Sequence, residues 1–529
     1  MKTPLTPLRC LHRAMDLFGD RAGVVCGDKQ FTYGEFGERC QRLATGLQAK
    51  GIQRGDRVAY LSLNNHMLLE GYFGVVQAGA IVMPMNVRLT PAELAGILND
   101  SGARMLLFEN DFAPLVEALR PNCPSIETYV WLGEKKRSSD LSYEEIIAAG
   151  RPERADIFEI DEDSIAELFY TSGSTGKPKG VRISHRTLYL HALSLYTVYV
   201  DVETMVNLHT IPLFHANGWG HPQASTYFGV KQVMVRRFDP VTVFQLIEQH
   251  RATDMYLVPV MANMLLHSPD LGQHDLSSLR RVMIGGASSS PALIERLERA
   301  LGCGVYAGYG LTETSPILAA AIPKRGVAHG SDEERFRRQA MTGWPLIGNE
   351  IRVVDAEMND VPRDMKTIGE IVVRGDHVME GYYNDPEQTA AVMTGGWLHT
   401  GDMAVWDAES FIQIVDRKKE IIISGGENIS SVEIENGILA HPAVRECAVV
   451  AAPDEQWGEV PAAIVVLESE AEVSADELRG FLSGKLAKFK IPKRFDFRKE
   501  PLPRTGTGKI RKLDLKEAYW AGRDKRVQG

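Results

Sequence analysis

Between Tyr170 and Gly180 the chain reads YTSGSTGKPKG, a run of small, hydroxylated and cationic residues. Successive small residues let backbone amides approach a polyphosphate. The hydroxyls of Thr171, Ser172, Ser174 and Thr175 add donors, and Lys179 adds charge. The segment follows the apolar run IAELF and precedes a helical stretch capped by Ser184, so it is expected to hold phosphates. It is not a Walker A loop, because the G-x-x-x-x-G-K-[ST] spacing is missing and Pro178 interrupts the run. A flexible Gly/Ser linker is the alternative.

Four further segments carry groups of the right type. YAGYGLTET, Tyr306 to Thr314, sets an aromatic ring, a glycine, a hydroxyl and a carboxylate within Tyr309 to Glu313. Tyr309 can stack on a purine while Glu313 holds a magnesium ion, which prefers one or two carboxylates plus substrate phosphates; the plain alternative is a turn with an exposed acid. GWLHTGD, Gly396 to Asp402, places a carboxylate on a turn, where it can accept two hydrogen bonds from a ribose diol or merely cap the turn. DRKKEIIISGGENIS, Asp416 to Ser430, reads as a strand ending in a hairpin. PRTGTGKIRK, Pro503 to Lys512, presents Lys509 at the end of a glycine-rich loop.

These groups need a large scaffold, and 529 residues supply one: two or more domains are expected. Through about residue 320, helical patterns such as Phe36 to Gly51 alternate with short apolar runs such as RVAYLSL and RVMIG, the mark of α/β layering with largely parallel strands. Asp239-Pro240 and Ser290-Pro291 read as capped helix starts. Near residue 350 the texture becomes β-rich, in EIRVVD and EIVVRG, and Ser331 to Ala340 reads as a solvated helix or loop. A net charge of −10 argues against a nucleic-acid partner. Six scattered cysteines without a CxxC pair indicate neither a zinc cluster nor a disulfide framework, and fit a reducing cytoplasmic compartment. The most apolar stretch, Gly71 to Met85, is short for a membrane span.

Taken together and in this order, the five segments resemble the acyl-adenylate-forming superfamily of acyl-CoA synthetases, luciferases and nonribosomal peptide adenylation domains. The similarity runs from Thr32-Tyr33 in FTYGE to Lys509. It implies an α/β fold with a large layered N-terminal domain and an added β-rich subdomain over 1–416, a hinge at 417–419, and a small mobile α+β domain over 420–529 that carries the catalytic lysine. It further implies an ATP-dependent acid–CoA ligase that forms an acyl-AMP and then an acyl-CoA, with ATP, Mg2+ and CoA as cofactors. Small-molecule acids would be its partners, with no nucleic acid and no integral membrane segment, and with a homodimer left open.

Residue by residue, the resemblance implies that Thr171, Ser172, Gly173, Ser174, Thr175, Gly176 and Lys179 wrap the β- and γ-phosphates, with Thr171 and Glu313 near Mg2+. Tyr309, flanked by Gly308 and Gly310, would pack on adenine, Thr312 would touch the α-phosphate, and Asp402 and Arg417 would bind the ribose. Lys509 would bridge the substrate carboxylate and the α-phosphate, the pairing that an in-line displacement of pyrophosphate requires; acetylation would erase its charge. Lys419 stands at the hinge position, and Gly425 and Gly426 would let a pantetheine arm pass close to backbone. One departure is Ala307, where the family carries Asn, Gln or Asp facing the adenine amino group.

His215 and Trp219, in PLFHANGWG, would flank the acyl pocket, with Gly285, Gly286 and Ala287 as its floor. The alternative is that Trp219 is core and His215 merely hydrogen-bonded. FHANGW and GGENISSVEIEN look most like bacterial medium- and long-chain fatty acyl-CoA synthetases. Aryl or short-chain acids are the main competitors. Free CoA is expected as acceptor, since no carrier motif follows Lys509, and Phe489, Lys488 and Lys490 are placed to meet its nucleotide. The rivals are a catalytically inactive nucleotide-binding regulatory protein and a luciferase-like oxygenase.

Overall fold

The structure is a computed structural model that describes residues 2–133, 137–172, 178–196, 201–324, 326–327, 330–424, 427–454, 456–469, 471–483, 485–504 and 510–521. Two large sheets carry the first part of the chain. One has nine strands among the described residues, in the spatial order Trp344–Pro345, Ile317–Ala320, Gly304–Gly310, Arg281–Ile284, Asp254–Leu257, Val206–His209, Lys231–Met234, Ala22–Cys26 and Lys29–Thr32. Its inner strands are parallel. The other has eight: Gly381–Tyr382, Pro178–Ser184, Ile165–Ser172, Ile81–Pro84, Arg57–Leu61, Met105–Phe108, Thr128–Trp131 and Leu141–Ser142. From Ile165–Ser172 outward to Leu141–Ser142 every pairing is parallel.

Parallel strands are buried on both faces and need helices over them, and the sequence supplies helices with strong starts. Thr32 and Glu35 form a reciprocal capping box at the start of Tyr33–Ala49. Asp239 caps Pro240–His250 and Ser290 caps Pro291–Leu301, each with proline at the first position, where a missing amide costs nothing. Tyr33–Ala49 and His66–Gln77 bury an apolar seam in which Phe36 and Phe73 meet edge to face at 5.9 Å. Ser331 caps the helix Asp332–Gln339, which is less solvated than its charge suggests: Phe336 is buried, and Arg335 pairs with Glu298.

The β-rich part is a five-stranded sheet of Asn349–Val354, Gly369–Gly375, Trp397–Trp406, Met393–Thr394 and Ile412–Arg417. The chain then passes through a tight turn, in which the amides of Glu420 and Ile421 both donate to the Arg417 carbonyl, and enters a separate sheet. That sheet comprises Ile422–Ser424, Glu427–Ile429, Val444–Asp454, Gly458–Leu467 and Arg494–Arg498, with a core of its own around Ile434, Ile438, Val449 and Leu482.

A largely buried ion pair fixes the stem of the last helix, Lys512–Trp520, to this sheet. Lys512 Nζ lies 2.8 Å from Glu435 Oε1 and donates to Ser431 Oγ at 2.6 Å. Glu435 also accepts the Val449 amide at 2.6 Å. Burial pushes the Glu435 carboxyl upward while Lys512 opposes it. Removing one partner strands the other. Lys512→Met is expected to lower stability by about 3 kcal/mol in chemical denaturation, whereas Lys516→Met, whose pair with Glu459 spans 4.0 Å, should cost less.

Candidate functional site

The Tyr170–Gly180 segment is the tip of a hairpin. Ile165–Ser172 and Pro178–Ser184 pair antiparallel, with Thr171 opposite Lys179. Gly173, Ser174, Thr175 and Gly176 lie outside the described residues. Ser184 caps the helix His185–Leu195 as expected, its Oγ accepting the Thr187 amide at 3.2 Å, but a seven-residue strand separates that helix from the loop. At about 3.3 Å per residue, the helix start is ~20 Å of chain away. The start of that helix is therefore not at the loop, and the expected contribution of a helix dipole there is corrected. The signal for the strand is the buried alternation of Val181 and Ile183 with Arg182.

Lys179 reaches across to two later parts of the chain. Its Nζ donates to Gln388 Oε1 at 2.7 Å and stands 5.0 Å from the centre of the Tyr382 ring. The Tyr382 hydroxyl donates to Glu313 Oε1 at 2.9 Å. Burial, with Glu313 adding to it, raises the Tyr382 phenol above its ordinary range, so it stays a donor. Glu313 sits in the short 3-10 turn Thr312–Thr314 and is half-buried, not the exposed turn acid of the plain alternative. Among the described residues no group of three or more metal-ligating side chains exists. Magnesium needs none, since one or two carboxylates with substrate phosphates suffice, and Glu313 beside the Thr171–Lys179 hairpin end meets that requirement.

Four residues before Glu313, Tyr309 is the penultimate residue of the strand Gly304–Gly310. Its hydroxyl donates to Asp402 Oδ2 at 2.6 Å, and Arg417 Nε stands 2.6 Å from Asp402 Oδ1. Asp402 is 2% exposed. Burial works most strongly against the charge on Arg417, but Asp402, with Tyr309, Glu420 and Glu313, together outweigh it and raise the guanidinium pKa. Burial raises the Tyr309 phenol, and Asp402 adds to the rise. The expectation of a turn at Asp402 is corrected: the residue lies inside the strand Trp397–Trp406, directly opposite Arg417 in Ile412–Arg417. The glycine that suggested a turn, Gly401, keeps φ at +71° as a local kink. Ala307 is buried one strand register back, and its carbonyl accepts the Ala321 amide at 2.8 Å.

On the other flank, Trp219 is buried against the glycine pair. A Cβ built on Gly285 would fall 3.0 Å from the indole and 2.9 Å from the Gly308 carbonyl oxygen. The indole meets Tyr256 edge-on at 6.3 Å. Ala216, Asn217 and Trp219 have φ of 42°, 41° and 62°, and Gly218 and Gly220 share the left-handed region. Such a run is unfavourable for side chains other than glycine and needs surrounding contacts to hold it. His215 opens the turn and its carbonyl accepts the Gly218 amide at 3.2 Å. Gly286 and Ala287 are exposed.

The hairpin, the Tyr309–Glu313 segment and Asp402–Arg417 thus converge, with Trp219, Gly285 and Gly308 along one side. Lys419 lies in the turn leading to the C-terminal sheet. Lys509, Gly425 and Gly426 lie outside the described residues, although the base of the Lys509 loop is closed by the Arg504–Ile510 bridge and by the Arg511 amide donating to the Pro503 carbonyl at 2.8 Å. Tyr382 and Gln388 were missed in the sequence, because their partners are 69 and 209 residues away. The only local hint is GYY at Gly381 to Tyr383, a glycine beside paired aromatics.

The family profile described as AMP-binding enzyme matches residues 11–383, and the AMP-binding enzyme C-terminal domain matches 433–509. A long-chain-fatty-acid–CoA ligase of Thermus thermophilus is 40% identical over 96% of this chain and 94% of its own length. A 2-methylpropanoate–CoA ligase of Humulus lupulus is 35% identical over 97% and 95%. Among solved structures, ATP-bound MatB from Rhodopseudomonas palustris aligns with a TM-score of 0.86 at 29% identity, covering 97% of this chain and 99% of that one.

Gly310 is the tightest point of the site. A Cβ there would lie 1.8 Å from the Pro316 carbonyl oxygen, which is backbone and cannot rotate away. Gly310→Ala is expected to cost about 3 kcal/mol or more of stability, read as a lowered denaturation midpoint; an unchanged midpoint would show that the strand end can open.

Proposed function

The chain belongs to the AMP-binding enzyme family and is an acid–coenzyme A ligase; we propose that its acid is a medium- or long-chain aliphatic carboxylate and that the converging residues divide the work as follows. In the first half-reaction the carboxylate oxygen attacks the α-phosphorus of ATP, forming acyl-AMP and releasing pyrophosphate. In the second, the CoA thiol attacks the acyl carbon, AMP leaves, and the thiol proton is lost. Thr171 and Lys179, with the rest of their loop, hold the β- and γ-phosphates. Glu313 and Thr171 would hold Mg2+, which when bound neutralises phosphate charge. Asp402 binds the ribose hydroxyls and is held in orientation by Arg417 and Tyr309. Tyr309 lies along the adenine, and Thr312 meets the α-phosphate.

The observation that supports this division is the continuity of the site. Lys179, Tyr382 and Glu313 form one linked group, and Tyr309, Asp402 and Arg417 form another. Only three residues separate Tyr309 from Glu313, a span of at most ~14 Å. One end offers a cation and hydroxyls suited to phosphates; the other offers a carboxylate suited to a diol.

Lys509 supplies the mobile cation where the acid meets the α-phosphate. In this reading 1–416 forms the nucleotide- and acid-binding unit, 417–419 the hinge and 420–529 the unit that rotates about Lys419 to exchange Lys509 for the Gly425-Gly426 turn. The separate core of the C-terminal sheet supports it. Six free cysteines, five of them buried, support a reducing cytoplasmic setting. No helix among the described residues is long and apolar enough to cross a membrane.

Each buried methylene is worth about 0.8 kcal/mol, near a fourfold preference, so selectivity should be graded. Pyrophosphate release across a panel of acids, with and without CoA, is expected to be fastest with medium and long aliphatic acids. A maximum at benzoate-type or branched short acids would reassign the substrate, and no release with any acid would leave a nucleotide-binding protein without this chemistry. Lys509→Ala is expected to lose on the order of 10² to 10³ in adenylation rate yet still convert supplied acyl-AMP to thioester; near-normal adenylation would remove Lys509 from the first step.

A further inference from the structure

Behind the turn that carries Trp219 lies a carboxyl group that the reaction does not use. Glu167 is fully buried in the strand Ile165–Ser172, four residues before Thr171. Asn217 Nδ2 donates to its Oε2 at 3.1 Å, and Gln223 Nε2 donates to its Oε1 at 2.6 Å. No cation pairs with it among the described residues. Asn217 belongs to the left-handed run Ala216–Gly220, and Gln223 to the helix His221–Phe228 that follows. One carboxyl therefore joins the strand leading into the phosphate hairpin to both ends of the segment that places Trp219.

A second observation concerns the same three side chains. Asn217 Oδ1 and Gln223 Oε1 are buried and have no hydrogen-bond partner among the described residues. Buried acceptors are rarely left so. Which way an amide points is an assignment made from its network, and turning either amide over offers its oxygen to Glu167. A carboxylate cannot use it, whereas a carboxylic acid donates its O–H there and satisfies one of the two oxygens. The surroundings agree: burial raises the Glu167 pKa to about 8, with the amide donors of Asn217 and Gln223 pulling the other way. Facing it, the strand Ile81–Pro84 brings no titratable side chain. The helix His66–Gln77 brings Tyr72, whose hydroxyl donates to the Leu213 carbonyl and whose pKa burial holds high. The helix of Gln223 brings His221, which burial keeps neutral, and the turn begins at His215.

We propose that Glu167 is a positioning residue for the acyl site: held as a neutral acid between Asn217 and Gln223, it fixes the left-handed turn that lays Trp219 over Gly285 and Gly286 and so sets which acids the pocket accepts. This rests on the placement of Trp219 in the acyl pocket. A charge on Glu167 would be buried without a counter-ion, and the amide oxygen that had accepted its O–H would face a carboxylate with no proton to donate. The turn, already unfavourable for three of its residues, would then relax.

The test is acid-dependent exchange of pyrophosphate into ATP, which needs no CoA, for the parent enzyme and three variants. Glu167→Ala is expected to raise KM for the preferred acid about tenfold and to flatten the chain-length profile, with KM for ATP unchanged. Glu167→Gln, neutral and of the same shape, should keep the parent profile. In the parent enzyme, KM for the acid should rise as pH passes through about 8, where Glu167 loses its proton, and this rise should be absent in Glu167→Gln. An unchanged profile in Glu167→Ala, a Gln variant that behaves like Ala, or coincident pH profiles for the parent and Glu167→Gln would each overturn the proposal. Trp219→Ala separates the two levels: if it leaves the chain-length profile unchanged, the acyl-pocket assignment fails; if it shifts the profile while Glu167→Ala does not, only the role of Glu167 fails.

Discussion

The Asp402 carboxylate is withdrawn from water between a tyrosine hydroxyl and an arginine, and this arrangement ties together elements that would otherwise be independent. Tyr309 comes from the nine-stranded sheet, whereas Asp402 and Arg417 come from neighbouring strands of the β-rich sheet. A buried carboxylate without such partners would take up a proton or destabilise the fold. With them its charge is compensated and its orientation is fixed. Because Arg417 is also the last residue of its strand, the same ion pair marks where the chain leaves the large sheets for the C-terminal one.

Around this anchor the backbone has been brought unusually close. Gly308, Gly310 and Gly285 each occupy places where a side chain would collide with a carbonyl, a thioether or the Trp219 indole. The absence of side chains there serves opposite purposes on the two flanks. At Gly310 it lets the strand fold back on Pro316 and present Thr312 and Glu313; at Gly285 the space is filled by an indole, not left open. The flank on that side is therefore shaped by what holds Trp219 in place. That support is polar, provided by Asn217, Gln223 and Glu167.

The five motif segments were legible because each carries residue types that its chemistry demands within a few positions of one another. The helix starts at Asp239 and Ser290, the hairpin after Lys419 and the parallel layering were legible for a related reason, since capping, turn formation and hydrophobic period act over a few residues. Local cues misled where a pairing partner was remote. Gly401 suggested a turn at Asp402, but the opposing strand Ile412–Arg417 draws the segment into a ladder. The charged stretch after Ser331 looked solvated, yet Phe336 is buried.

Sequence alone therefore determined the family, the two-step acid–CoA chemistry, the α/β class and the types of group available, because these depend on residue identity and short spacing. Tertiary structure decided which groups meet: Tyr382 on Glu313, Gln388 on Lys179, Asp402 between Tyr309 and Arg417, and Glu167 beneath the Trp219 turn. Apart from the Asp402–Arg417 pair, which lies on neighbouring strands, those contacts span from 50 to 209 residues along the chain. Periodicity carries no information over such distances; only the packing of one sheet against another brings these side chains within hydrogen-bond reach.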